Sequence, residues 1–165
     1  LITRNQKKQV VMSFNQIDEI KNCISRYLSI REHSKSELFE KLYRKKFDQL
    51  QIKECISDFE VKGLQSDHRY AEIYVKSKIK AQKGPQLIKS NLIKNGINKN
   101  IISSVLLEYT REDWENAAIT ALKKKTFPDK FDNTDIKIKK QRSFLELRGF
   151  DYRIIEKAIE EFWKS

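Results

Sequence analysis

Apolar residues along this chain recur at helical spacing, and the same spacing is written three times. Leu92, Ile97, Ile102, Leu106 and Tyr109 set a reference register. Fifty residues earlier stand Leu42, Phe47, Ile52, Ile56 and Phe59, and fifty-three residues later Leu145, Phe150, Ile155, Ile159 and Phe162. In each set the first residue belongs to one amphipathic helix, the second anchors a turn, and the last three line one face of the next helix. A unit repeated at a period near fifty residues is one supersecondary element in tandem, each copy needing its neighbours to bury its apolar face. The pattern predicts an all-α chain: nine helices in three helix–turn–helix-like, three-helix units over 15–64, 65–110 and 111–165, behind a basic, flexible arm over 1–14.

Local signals place the helix ends. Asn15 can cap a first helix, with Asp18 and Glu19 in its positive first turn. Ile17, Ile20, Ile24, Tyr27 and Leu28 then mark one face. Ser34 with Glu37 forms a capping box that opens a helix presenting Leu38, Phe39 and Leu42. Gly63 closes the third helix and Ser66-Asp67 opens the fourth, whose inward face is Tyr70, Ala71, Tyr74 and Val75. Gly84-Pro85 is expected to stop that helix, because the residue before a proline disfavours the α region. Gly96 and Gly149 suit the left-handed position just past a helix end. Trp114, Ala117, Ala118, Ala121 and Leu122 give the seventh helix a face of small residues suited to close packing, residues 128–134 read as a loop, and Thr134-Asp135 caps the eighth helix.

Composition sharpens this picture. In 165 residues there are only 4 Gly and 2 Pro, which favours long helices over a turn-rich β fold. The formal net charge is +11, which points to an acidic partner: nucleic acid, an anionic membrane or an acidic protein face. That charge is unevenly placed. From Ile73 to Leu107 there are seven lysines (Lys76, Lys78, Lys80, Lys83, Lys89, Lys94 and Lys99) and no Asp or Glu. Lys76, Lys80 and Lys83, spaced by four and three, are expected on one outward stripe. Lys137, Lys139, Lys140, Arg142 and Arg148 add a second basic group on the eighth helix. The candidate basic face is therefore Lys76, Lys78, Lys80, Lys83, Lys89, Lys94, Lys139, Lys140, Arg142 and Arg148.

No chemistry of catalysis stands out. Cys23, Cys55, His33 and His68 lack the paired spacing of a zinc module. The cysteines read as reduced core residues of a cytoplasmic protein, and each histidine as a surface residue near a helix start. Lys83-Gly84-Pro85 lacks the pattern of a phosphate loop, and no nucleophile elbow or Ser/His/Asp grouping is present. No run is long and apolar enough to span a membrane. A binding protein is expected, with no catalytic residue, metal or cofactor and no membrane partner, acting as a monomer.

Three signatures in order carry a family resemblance. The first is Arg31-Glu32-His33-Ser34-Lys35-Ser36-Glu37-Leu38 with Lys41-Leu42. The second is Ser66-Asp67, Tyr70-Ala71, Tyr74, Lys78, Lys83-Gly84-Pro85, Ile88, Leu92 and Gly96-Ile97; the third is Arg142-Ser143-Phe144-Leu145 with Arg148-Gly149-Phe150. Over roughly residues 20–163 the chain resembles the RecX family of RecA regulators. The resemblance implies three tandem three-helix units in an elongated, curved arrangement. It also implies binding to RecA and the RecA–DNA filament, with restraint of strand-exchange, ATPase and coprotease activities in DNA repair and the SOS response. One position departs from the pattern: Lys46 stands where the other two units carry a turn glycine, so the first hairpin is expected to end differently.

The competing expectation is a DNA-binding protein proper, touching single- or double-stranded DNA directly without sequence preference. Against it, the candidate recognition helices (98–109 and 151–163) are mostly apolar and poor in Arg, Asn and Gln for base edges. The blander alternative is a solvated lysine-rich surface, although long acid-free tracts are uncommon on mixed-charge surfaces.

Overall fold

The computed structural model describes the backbone of residues 4–127 and 134–164, and the side chains of 16–127 and 134–164. Among them run nine helices and no strand: α1 (Arg4–Ile30), α2 (Lys35–Arg44), α3 (Gln49–Val61), α4 (Asp67–Lys80), α5 (Pro85–Lys94), α6 (Lys99–Leu107), α7 (Arg111–Lys124), α8 (Thr134–Leu147) and α9 (Tyr152–Lys164). The loop expected over 128–134 lies outside the described residues as far as 133.

Two expected helix ends are corrected. Asn15 does not cap α1, which is already helical from Arg4, so the arm expected over 1–14 is helical in its described part. The physical reason is that nothing between Arg4 and Ile30 interrupts a helix: the stretch holds no Gly and no Pro. At the other correction, α4 ends at Lys80 and not at Gly84. Gln82 takes φ 51°, its N–H bonds to the Ile79 carbonyl at 2.8 Å, and the Lys83 N–H reaches back to the Lys78 carbonyl at 2.9 Å. That is a Schellman closure with glutamine in the left-handed position.

Two compact units result, Leu1–Tyr70 with Asn95–Ile97, and Ala71–Lys94 with Asn98–Ser165. In the first, α1, α2 and α3 pack on one another around Ile20, Ile24, Leu38, Leu42, Ile52, Cys55, Ile56 and Phe59. Each large aliphatic side chain buried there contributes roughly 1.5–3 kcal/mol. In the second, α7 meets α9 along Trp114, Ala117, Ala118, Ala121 and Leu122 on one side and Ile154, Ile155, Ala158 and Ile159 on the other. The small residues of α7 let the two helices approach closely. α8 packs against α9 as well, burying Leu145. Elsewhere in the unit α5 packs on α6, burying Ile88, Leu92, Ile102 and Val105.

The threefold register survives in burial. Leu42, Leu92 and Leu145 are fully buried, as are Ile52, Ile102 and Ile155, while Phe59, Tyr109 and Phe162 end the series buried or half-buried. The turns agree too. Gly96 and Gly149 take φ of 77° and 87°, and Lys46 takes 68°. The first hairpin therefore turns through the same left-handed backbone as the others, and the departure expected from Lys46 is not found. A lysine in that conformation costs on the order of 1 kcal/mol, against nearly nothing for glycine.

Candidate functional site

At the corner between α1 and α2, the residues from Arg31 to Glu37 build a polar joint. Ser34 caps α2: its Oγ accepts from the Glu37 N–H at 3.1 Å, and Glu37 Oε2 accepts from the Ser34 N–H at 3.4 Å. The same hydroxyl donates to the Asn95 carbonyl at 2.9 Å, and Asn95 Nδ2 donates to the Tyr70 hydroxyl at 2.9 Å. Asp67 Oδ1 accepts from the Lys35 N–H and from Gln65 Nε2, both at 2.9 Å, while Gln65 Nε2 also donates to the His33 carbonyl at 3.1 Å. Arg69 Nε donates to Glu32 at 2.8 Å, and the Arg31 guanidinium forks onto Glu37 at 3.0 and 3.2 Å. His33 is only 3% exposed, packed beside the Tyr27 ring, which corrects its expected place on the surface. Burial pushes its imidazole pKa down, with the nearby Arg31 and Lys41 charges adding to the effect. The first signature is therefore structural: it fastens the α1–α2 corner to the start of α4 and to residues 95–97.

The second signature does the same chiefly with backbone. The Gly84 N–H donates to the Arg148 carbonyl at 2.7 Å and the Gln86 N–H to the Gly149 carbonyl at 3.0 Å. A Cβ on Gly84 would lie 2.3 Å from the Gly149 carbonyl carbon, and one on Gly149 would lie 2.4 Å from Leu87 Cβ. Only a glycine on each side permits that approach. The Arg148 guanidinium completes the joint, donating through Nη1 to the Ala81 and Gln82 carbonyls at 3.1 Å each and lying 4.6 Å from the centre of the Phe144 ring.

These joints redistribute the basic face. Lys76, Lys80, Lys89, Lys94, Lys139 and Lys140 are exposed. Lys78 is half-buried, its ammonium 5.0 Å over the Tyr74 ring. Lys83 is also half-buried and lies past the end of α4, so its sequence spacing from Lys80 does not put it on a helical stripe with Lys76. Arg148 is occupied by the corner carbonyls. Arg142 is held by Glu156 through two bonds of 2.6 and 2.8 Å, which raises its pKa and lowers that of the carboxylate. No local signal in the sequence marks that pair, because it joins α8 to α9 and depends on which faces those helices share.

Other chemistry is sparse. Cys55 is buried, with its thiol pKa pushed up by desolvation, and Cys23 is half-buried; both are free thiols. Among the described residues no group of three or more His, Cys, Asp or Glu could hold a metal, and no helix is long and apolar enough to cross a membrane. Acidic residues of α3 and α9 are tied into ion pairs: Asp58 with Lys62 and Lys21, Glu60 with Lys35, and Glu160 and Glu161 with Lys157 and Lys164.

Comparison with known proteins places this architecture. Residues 21–59 match the family model described as RecX, first three-helix domain, and residues 66–106 match RecX, second three-helix domain. A Regulatory protein RecX from Legionella pneumophila (strain Corby) is 36% identical over 140 residues, covering 85% of this chain and 92% of that protein. Its counterpart from Acinetobacter baylyi is 37% identical over 133 residues, 80% of each chain. The crystal structure of RecX from Lactobacillus salivarius superposes with a TM-score of 0.81 at 30% identity, over 92% of this chain and 99% of that one.

Proposed function

This chain belongs to the RecX family of regulatory proteins, and on that premise we propose that it docks on RecA and on the RecA–DNA filament and restrains RecA's recombinase, ATPase and coprotease activities. The observation that carries the proposal is the acid-free tract running from Ile73 through α5, with Lys76, Lys80, Lys89 and Lys94 exposed. A filament that combines phosphates with protein surface attracts such a tract by counterion release and by acidic protein groups together. Arg142 and Arg148 are not among the filament-facing residues, because each already holds intramolecular partners. The three-unit division over 15–64, 65–110 and 111–165 belongs to the same proposal. It is supported by the two family-model spans and by the mutual packing of α7, α8 and α9. The protein acts in the cytoplasm, where its partner and the DNA are.

The experiment is a titration of the full chain into RecA filaments on single-stranded DNA, read by ATP hydrolysis. Dose-dependent loss of hydrolysis supports the proposal. An unchanged rate at saturating chain, alongside tight binding to bare DNA, would instead favour the DNA-binding alternative.

A further inference from the structure

A groove between the end of α7 and one flank of α8 is built differently from the rest of the basic surface. It is an open depression of about 650 Å³, with Phe127, Ile136, Phe144 and Leu147 as its apolar floor and Lys125, Lys139 and Lys140 at its rim. Ile136, Lys139, Lys140, Ser143, Phe144 and Leu147 recur at three- and four-residue steps, so they form one continuous stripe along α8 roughly 16 Å long at the helical rise. The floor is half open: Ile136 is 39% exposed and Leu147 83%, while Phe127 and Phe144 meet edge-on at 5.8 Å. Among the described residues no Asp or Glu lines it. This stripe is distinct from the one that packs inward, where Gln141 and Leu145 are buried and Arg142 meets α9.

From this arrangement we infer that the α7–α8 groove binds an acidic segment of a partner protein, anchored by large apolar side chains. The two halves of the recognition are separate on the surface. Ile136, Leu147 and the phenylalanine edges take the anchors, which supply most of the affinity in such sites. The lysines select and orient the acidic flanks and raise the association rate. A volume of about 650 Å³ and a stripe of this length suit the apolar face of a short amphipathic helix. Single-stranded nucleic acid fits less well, because base stacking needs open aromatic faces. Phe144 has the Arg148 guanidinium at 4.6 Å and the Lys125 ammonium at 6.0 Å, and Ile136 and Leu147 beside it are aliphatic. The inference takes Lys139 and Lys140 out of the filament-facing set and does not depend on RecA being the partner.

The test uses the full chain and a synthetic peptide of about a dozen residues, with Leu, Phe and Leu at i, i+4 and i+7 and Asp or Glu at the other positions, so that the anchors share one helical face. Saturable binding is expected by fluorescence anisotropy. Amide shifts in the ¹⁵N spectrum should be confined to residues 125–127 and 136–147. Leu147→Asp, at a side chain too exposed to hold the fold, should weaken binding at least tenfold with an unchanged helical spectrum, and Lys139→Glu should weaken it several-fold. Reversal of Lys76 and Lys80 should leave it within twofold. Three outcomes overturn the inference: equal binding of a peptide with Ser at the anchors, tighter binding of an oligothymidylate of the same charge at the same residues, or no saturable binding at all. None involves RecA, so failure here leaves the filament proposal standing, and failure there leaves this one.

Discussion

Two corners of this molecule perform the same task with different chemistry. Between α1 and α2, residues 31–37 are joined through side chains: the Ser34 hydroxyl receives the turn at 95–97, the Asp67 carboxylate and the Gln65 amide hold the start of α4, and the Arg31–Glu37 fork braces the corner itself. Between α4 and α5, residues 81–87 receive the turn at 148–150 through main chain, with Gly84 facing Gly149 and one arginine reaching back across. A side-chain joint can be loosened one bond at a time. A main-chain joint with no room for a Cβ either closes or does not. The first turn, at Lys46, makes a third case: its side chain is exposed, so it needs the left-handed backbone but not the missing Cβ. Glycine is thus demanded at 96 and 149 by close approach as much as by φ, which explains why Lys46 can break the pattern without changing the turn.

The largest expected effect lies at the main-chain joint. Gly84→Ala puts a methyl group 2.3 Å from the Gly149 carbonyl and must part the corner from the turn. A loss of about 3 kcal/mol is expected from urea unfolding of the full chain, the size associated with a forced backbone shift. A loss under about 1 kcal/mol would mean the joint has slack that the 2.7 Å Gly84–Arg148 bond does not suggest.

A smaller loss, about 1–2 kcal/mol, is expected for Gly96→Ala at the side-chain joint, combining left-handed strain with an approach of 2.6 Å to Ser36 Cβ. The double variant Gly96→Ala with Ser36→Gly should recover part of it, since Ser36 is exposed and the crowded atoms are its own Cβ and Oγ. Additive losses in the two variants would contradict that clash as the cause.

The smallest effect is a pH dependence confined to the side-chain joint. Burial lowers the His33 pKa in the folded state, so the unfolded chain binds the proton more readily. The stability His33 contributes is complete above the ordinary imidazole range and is lost as pH falls through that range toward the lowered folded value. Unfolding free energy measured from pH 7.5 to 5 should therefore decline in the native chain and decline less in His33→Gln. Matching slopes would mean that His33 does not couple the joint to pH.

Much of this fold is legible in the sequence because it is written locally. The capping box at Ser34 and Glu37, the turn glycines at 96 and 149 and the threefold apolar register are short-range patterns, and each is found at the expected place. The capping box of Thr110 and Asp113 obeys the same local rule. What the sequence hides is tertiary. Arg142 looks like any exposed cation until α9 brings Glu156 to it, and Arg148 looks the same until the α4–α5 corner presents its carbonyls. His33 reads as polar surface until Tyr27 and the α1–α2 corner close over it. The end of α4 is hard to place because Gln82, not glycine, occupies the left-handed position, and no propensity rule favours glutamine there.

The proposed role of the α4–α5 lysines is tested most directly by the salt dependence of binding to RecA filaments. The native chain should be compared with the triple variant Lys76→Glu, Lys80→Glu and Lys89→Glu, and with a control in which the exposed Lys45 and Lys53 are reversed. A basic surface placed on α4 and α5 predicts weaker binding by the triple variant, with the slope of log K against log salt shallower by roughly 0.7–0.9 for each phosphate no longer neutralised. The control should stay near the native slope, and all three proteins should keep the native helical spectrum. Equal weakening in both variants, or none in either, would contradict a placed basic surface on α4 and α5.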